Sequence, residues 1–142
     1  MSTALRFLLD TNVLSETRRT QPDKRVMSFL AGVDSSALHV SVLTLGELRK
    51  GIALKQRSDA AAARKLAAWV DGLEYSFAGH VLGIDVEIAR LWGELSAEMP
   101  RPVVDTLLAA TAIVHDLTLV TRNTTDVQGI KVKLLNPWKE GI

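Results

Sequence analysis

Apolar and polar positions fall along this chain in blocks whose period changes. Residues 5–9 are an apolar run broken only by Arg6, and the run stops at Asp10. A short apolar run that ends on a polar residue and gives way to helical spacing predicts a buried strand feeding a helix. Val13 and Leu14 carry that helix over residues 11–17, and Pro22 then forces the backbone before it out of the helical region. Pro22-Asp23-Lys24 opens a second predicted helix running to about Ala31, with Val26, Phe29 and Leu30 inward. Residues 37–41 read as a second strand. Helical spacing resumes at Leu43, Leu45, Leu48, Ile52 and Leu54 and ends near residues 55–58. Gly46 and Gly51 lie inside this helix and cost on the order of 1 kcal/mol each against Ala, so close packing or a ligand is expected there.

Asp59 is placed to cap an Ala-rich helix over residues 60–72, extendable to 77, with Leu66, Trp69 and Val70 inward. Residues 79–84 predict a third, less marked strand. Asp85 caps a further helix bearing Ile88, Leu91, Trp92 and Leu95, which Pro100-Arg101-Pro102 closes. Pro102 suits the first turn of the next helix, residues 103–115. Residues 117–121 form a β-rich fourth strand, 122–127 a polar loop, and 131–135 a final strand. Strands alternating with helices predict an α/β fold with a parallel sheet covered on both faces. No repeat or linker interrupts the pattern, so residues 1–142 read as one domain.

Composition narrows the function classes. A chain of 142 residues buries roughly 68% of its unfolded surface and needs no staples. It has no Cys, which excludes disulfides and thiolate zinc sites and fits the cytoplasm. No signal peptide is visible, and no apolar stretch reaches the ~18 residues of a membrane span. The net charge of +1 means that any nucleic acid must be held by local patches. Arg18, Arg19, Lys24 and Arg25 follow the first acidic motif, and Arg49, Lys50 and Arg122 lie near the others. Each is a candidate phosphate contact, weighed against an ordinary solvated surface.

Most of the 16 acidic residues have structural explanations. Asp23, Asp59 and Asp85 stand at helix starts, and Asp34 and Asp116 in turns. Asp71, Glu74, Glu87, Glu94, Glu98 and Glu140 read as solvated positions; Glu16 is ambiguous. Asp10 has two readings: a helix cap, or a ligand-binding carboxylate at the carboxyl end of a strand, where open α/β sheets bind ligands. Glu47 shares a helix face with Leu43, Gly51 and Leu54, a costly place for a charge that is neither paired nor ligating. Its alternative is an ion pair with Lys50. Asp105 points with Leu108, Ala109 and Ala112, although a first-turn acid also satisfies the helix dipole. Asp126 follows strand four, whose end should lie beside strand one and so near Asp10. Carboxylates ~4 Å apart at an effective dielectric of ~20 repel by about 4 kcal/mol. Such a cluster must share protons or hold a cation, and all-oxygen ligands suit Mg²⁺ or Mn²⁺.

Four segments together resemble the PIN-domain ribonucleases: Leu8-Leu9-Asp10-Thr11-Asn12-Val13-Leu14, Leu45-Gly46-Glu47-Leu48, Val104-Asp105-Thr106-Leu107-Leu108, and Leu119-Val120-Thr121-Arg122-Asn123-Thr124-Thr125-Asp126. The match is to the VapC-type toxins of type II toxin–antitoxin pairs, in the FitB-like branch, and Leu134-Leu135-Asn136-Pro137-Trp138 is also similar. The resemblance implies a three-layer αβα PIN fold with about five parallel strands in the order 3-2-1-4-5. It implies a Mg²⁺- or Mn²⁺-dependent endoribonuclease with Asp10, Glu47, Asp105 and Asp126 as its acidic quartet. Asp10 and Asp105 would be the most direct metal ligands, and Thr11, Asn12 and Thr121 would orient the carboxylates. It further implies a homodimer, a small cognate antitoxin, an RNA substrate, and promoter DNA bound by the toxin–antitoxin complex. The segment 96–102 is shorter than is common in this branch, which bears on the substrate groove.

Two other classes compete. A non-catalytic PIN scaffold would bind RNA or a partner without cutting. A haloacid-dehalogenase-like phosphatase also begins with a strand-end Asp, but wants a second acid two residues on, where this chain has Asn12.

Overall fold

The computed structural model describes residues 5–139. Five strands form one sheet: β1 (Phe7–Leu9), β2 (Leu38–Ser41), β3 (Val81–Leu82), β4 (Thr118–Val120) and β5 (Leu134–Leu135). Their order is β3-β2-β1-β4-β5, and every neighbouring pair is parallel. Parallel neighbours require long crossovers, and helices supply most of them here. The helices are α1 (Thr11–Glu16), α2 (Lys24–Ala31), α3 (Val42–Gln56), α4 (Ala60–Ser76), α5 (Val86–Glu98) and α6 (Val103–Val114).

β1 is central because both of its faces are apolar. Phe7 and Leu9 pack on one side with Val13, Leu14, Val26, Phe29 and Val70. Leu8 packs on the other with Leu108, Ala109, Ala112 and Leu119. Successive strand residues point to opposite faces, so a strand covered on both sides reads as a continuous apolar run. Fully burying a side chain such as Leu8 or Leu9 contributes about 1.5–3 kcal/mol. The small residues Ala109, Ala110 and Ala112 let α6 lie close on the sheet, and all three are fully buried. The carboxyl ends of β1 and β4 come side by side: Leu9 is in register with Val120, and the Asp10 amide donates to the Val120 carbonyl at 2.9 Å.

The caps are as predicted. Asp23 accepts from the Arg25 amide at 2.8 Å, Asp59 from Ala62 at 3.0 Å, and Asp85 from Ile88 at 2.9 Å. The strands are shorter than expected. β1 starts at Phe7, leaving Leu5 exposed, and Ala37 belongs to a 3-10 turn (Ser35–Ala37) before β2. β5 is only Leu134–Leu135, because a ladder cannot outrun a three-residue partner, and residues 131–133 are not strand. α4 continues through Ser76, the predicted loop 122–127 contains a 3-10 turn (Thr124–Val127), and Pro102 takes the N-cap position instead of the first turn of α6.

Three acids read as solvated are engaged. Arg49 on α3 reaches α4, where its Nη2 lies 2.7 Å from Asp71 and 2.6 Å from Glu74. Glu98 meets Arg101 at 3.3 Å. Glu140 lies outside the described residues. No atom stands within 4 Å of a Cβ built on Gly46 or Gly51, so packing inside the fold does not require those glycines. Among the described residues no helix is long and apolar enough to cross a membrane.

Candidate active site

Asp10 is placed by the end of β1 and fixed by three donors. Its Oδ1 accepts from the Thr11 amide at 2.7 Å, and its Oδ2 accepts from Thr121 Oγ1 at 2.7 Å and from the Asn12 amide group at 3.2 Å. The cap reading of Asp10 is seen directly: its side chain accepts from the Thr11 amide and its carbonyl from Val13 as the first turn of α1 begins. Asp10 is only 5% exposed. Burial raises its pKa above the usual carboxylate value, and Glu47 and Asp126 add to the rise. The Thr121 and Thr11 bonds oppose it by favouring the charged form. A carboxylate has about four lone-pair positions, so three bonds leave one free.

Glu47 approaches from α3. It is exposed, and its Oε1 accepts from Thr11 Oγ1 at 2.7 Å. Thr11 thus touches both acids: its amide meets Asp10 and its hydroxyl meets Glu47. Glu47 forms no ion pair with Lys50 among the described residues. Asp105 enters from the first turn of α6 and Asp126 from the 3-10 turn after β4. Burial pushes the Asp105 carboxyl up to about 6, and the charges of Asp10, Asp126 and Glu47 reinforce it. Asp126 stands close enough to Asp105 to raise its pKa.

Asp10, Glu47 and Asp105 line an open cavity of about 580 Å³ together with Thr11, Asn12, Ser15 and Asn123 and the apolar rim Pro102, Val103 and Val104; Asp126 is not among its lining residues. A second open cavity of about 550 Å³ adjoins it through Glu47 and Val104 and runs over Gly46, Lys50, Gly51 and Leu54 on α3. Among the described residues, no three acids already stand as a closed ligand set. Mutual repulsion is the physical reason such carboxylates stay apart. The donor set still fits a hard divalent cation: it is all oxygen, and the neighbouring carboxylates raise the pKa of Asp10 and Asp105. The phosphatase reading is excluded by Asn12, whose amide serves as a donor to Asp10 where a second acid would be needed.

The basic candidates divide. Arg49 is held by Asp71 and Glu74, Arg25 pairs with Asp23, and Arg19 pairs with Glu16. Lys24 is exposed, and Lys50 is exposed on the second cavity. Arg18 lies 5.3 Å from the Trp69 ring and Arg122 lies 5.1 Å from the Trp138 ring. Five lining residues escaped the sequence reading, Val103 and Val104 beside Asp105 among them. Asn123 sits one residue beyond Arg122, Ser15 one turn beyond Thr11, and Pro102 three residues before Asp105; nearness to a candidate acid was the signal available for each. Glu16 is also resolved. It is 4% exposed and accepts from the Asp23 amide at 2.7 Å, so it ties the end of α1 to the start of α2.

Residues 7–126 match the PIN domain model. Over 94% of its length the chain is 33% identical to Toxin FitB of Neisseria gonorrhoeae, covering 99% of that protein. It is 29% identical to VapC ribonuclease Y4jK of Sinorhizobium fredii, covering 94% of this chain and 98% of the relative. Its fold superposes with a TM-score of 0.86 on a chain of FitAB bound to the IR36 DNA fragment, at 30% identity over 96% of this chain and 98% of the other. The fold is of the three-layer α/β class, and the chain belongs to the PIN domain family.

Proposed function

We propose that this chain is the toxin of a type II toxin–antitoxin pair and acts as an endoribonuclease on RNA phosphodiester bonds. One observation carries the reading: Asp10, Glu47 and Asp105 line one cavity in a chain of the PIN family, and the charge of Asp126 acts on both Asp10 and Asp105. Asp10 and Asp105 would hold Mg²⁺ or Mn²⁺, with Glu47 and Asp126 completing the set directly or through water. When bound, the ion supplies an activated water and offsets charge developing on the phosphoryl oxygens. The protein's own contribution is positional. Thr121, Asn12 and the Thr11 amide keep Asp10 oriented and charged. The Thr11 hydroxyl holds Glu47 at the cavity mouth. Asp105, at about 6, can take up or release a proton near neutral pH.

The FitAB structure pairs its toxin with another protein and DNA, which supports a cognate antitoxin for this chain and DNA binding by the complex. A homodimer and a cytoplasmic setting belong to the same reading. Purified protein with Mg²⁺ or Mn²⁺ is expected to cut single-stranded RNA, while Asp10→Asn and Asp105→Asn do not. RNA bound equally by all three and cut by none would leave only a binding scaffold.

A further inference from the structure

We infer that Arg122, braced on Trp138, is the residue that grips an RNA phosphate beside the carboxylate cavity. This rests on the ribonuclease reading and specifies where the strand is held. Arg122 is exposed and directly follows Thr121, whose hydroxyl bonds Asp10. Its amide donates to Asn12 Oδ1 at 3.5 Å, and the next residue, Asn123, lines the cavity as Asn12 does. The guanidinium is therefore anchored through its own backbone to the cavity wall.

The side chain is braced as well. Its guanidinium lies 5.1 Å from the Trp138 ring, and Trp138 is 5% exposed, with its amide donating to Asn136 Oδ1 at 2.9 Å. An arginine stacked on a fixed indole loses less freedom on binding and keeps the edges of its planar fork open to a phosphate. Arg19, Arg25, Arg49 and Arg101 each face a carboxylate, whereas Arg122 is in no ion pair among the described residues. A phosphodiester approaching these acids needs a cation close by to offset its own charge, and Arg122, whose amide is tied to Asn12 on the cavity wall, has no carboxylate partner among the described residues. Bidentate guanidinium–phosphate pairing fixes orientation as well as charge.

The test uses a short single-stranded RNA, Mg²⁺, and the full chain in an Asp105→Asn background so that the RNA survives. Binding is measured against salt for the parent, Arg122→Ala, Arg122→Lys and Lys65→Ala, the last an exposed lysine on α4. Arg122→Ala is expected to weaken binding on the order of tenfold and to reduce the slope of log Kobs against log salt by about 0.7, the loss of one single-strand phosphate contact. Arg122→Lys should keep the slope, and Lys65→Ala should match the parent. A parental slope and affinity for Arg122→Ala overturns the inference. Wild-type cleavage, measured alongside, separates the two failures: no cleavage sinks the ribonuclease reading, and cleavage with an unchanged slope sinks only Arg122.

Discussion

Thr121 donates to Asp10 from a position that is itself 2% exposed, so its hydroxyl has no solvent to replace that acceptor. Thr121→Val keeps the shape and removes the donor. Hydrogen bonds to a charged group are worth about 1.5–3 kcal/mol, and a loss of that order should appear in urea denaturation near pH 7. RNA cleavage should fall with it. Asp105 makes a pH-dependent statement of opposite sense. Its folded-state value of about 6 lies above its ordinary 3.8, so from pH 4 to 6 the folded state binds the proton more tightly than the unfolded one. Stability from this group is present at low pH and is lost as pH rises through 6. With divalent metal chelated, Asp105→Asn should therefore raise the melting temperature at pH 7.5, and the gain should vanish toward pH 4. A gain that stays constant across that range would contradict the assigned environment. At this scale the sequence marked Asp10 as a strand-end acid and Glu47 and Asp105 as acids on apolar helix faces, and the structure places all three on one cavity. The exposure of Glu47 and the place of Asp126 outside the lining needed coordinates, because both depend on how α3 and the turn after β4 pack.

α1 is six residues long and too short to hold itself together in isolation. Its two ends are fastened by carboxylates, Asp10 at the start and Glu16 at the end. The Asp23 amide, and then Arg19, lower the Glu16 pKa below its ordinary value. A lowered carboxyl contributes stability that is present above its unfolded value near 4.5 and lost as pH falls. Glu16→Gln should lower the denaturation midpoint at pH 7 and match wild type near pH 3. In α3 the two glycines ask a different question. Since nothing in the fold meets their Cβ positions, Gly46→Ala should stabilise the chain by about 1 kcal/mol. If that variant also loses RNA cleavage, the bare backbone at the adjoining cavity serves a ligand. The helices were legible through spacing and caps, while strand ends were not. Strand length here is set by the partner across the ladder, as the two residues of β5 beside β4 illustrate.

Across the whole molecule, a divalent cation that binds only the folded chain must stabilise it. At about 100 times its dissociation constant the shift is about 2.7 kcal/mol. Mg²⁺ or Mn²⁺ should raise the melting temperature of wild type and leave Asp10→Asn nearly unmoved; equal shifts in both would place the ion elsewhere. The sheet order itself was legible only through family resemblance, because alternation of strands and helices fixes the class and not which strands touch. That order has a consequence for how the enzyme comes into being. β1 is made more than a hundred residues ahead of its neighbour β4. Until Val120 and Thr121 exist, Asp10 lacks both its backbone acceptor and its hydroxyl donor, and Asp126 has not been synthesised. The carboxylate site of a chain ordered this way stays unfinished for as long as β4 is missing.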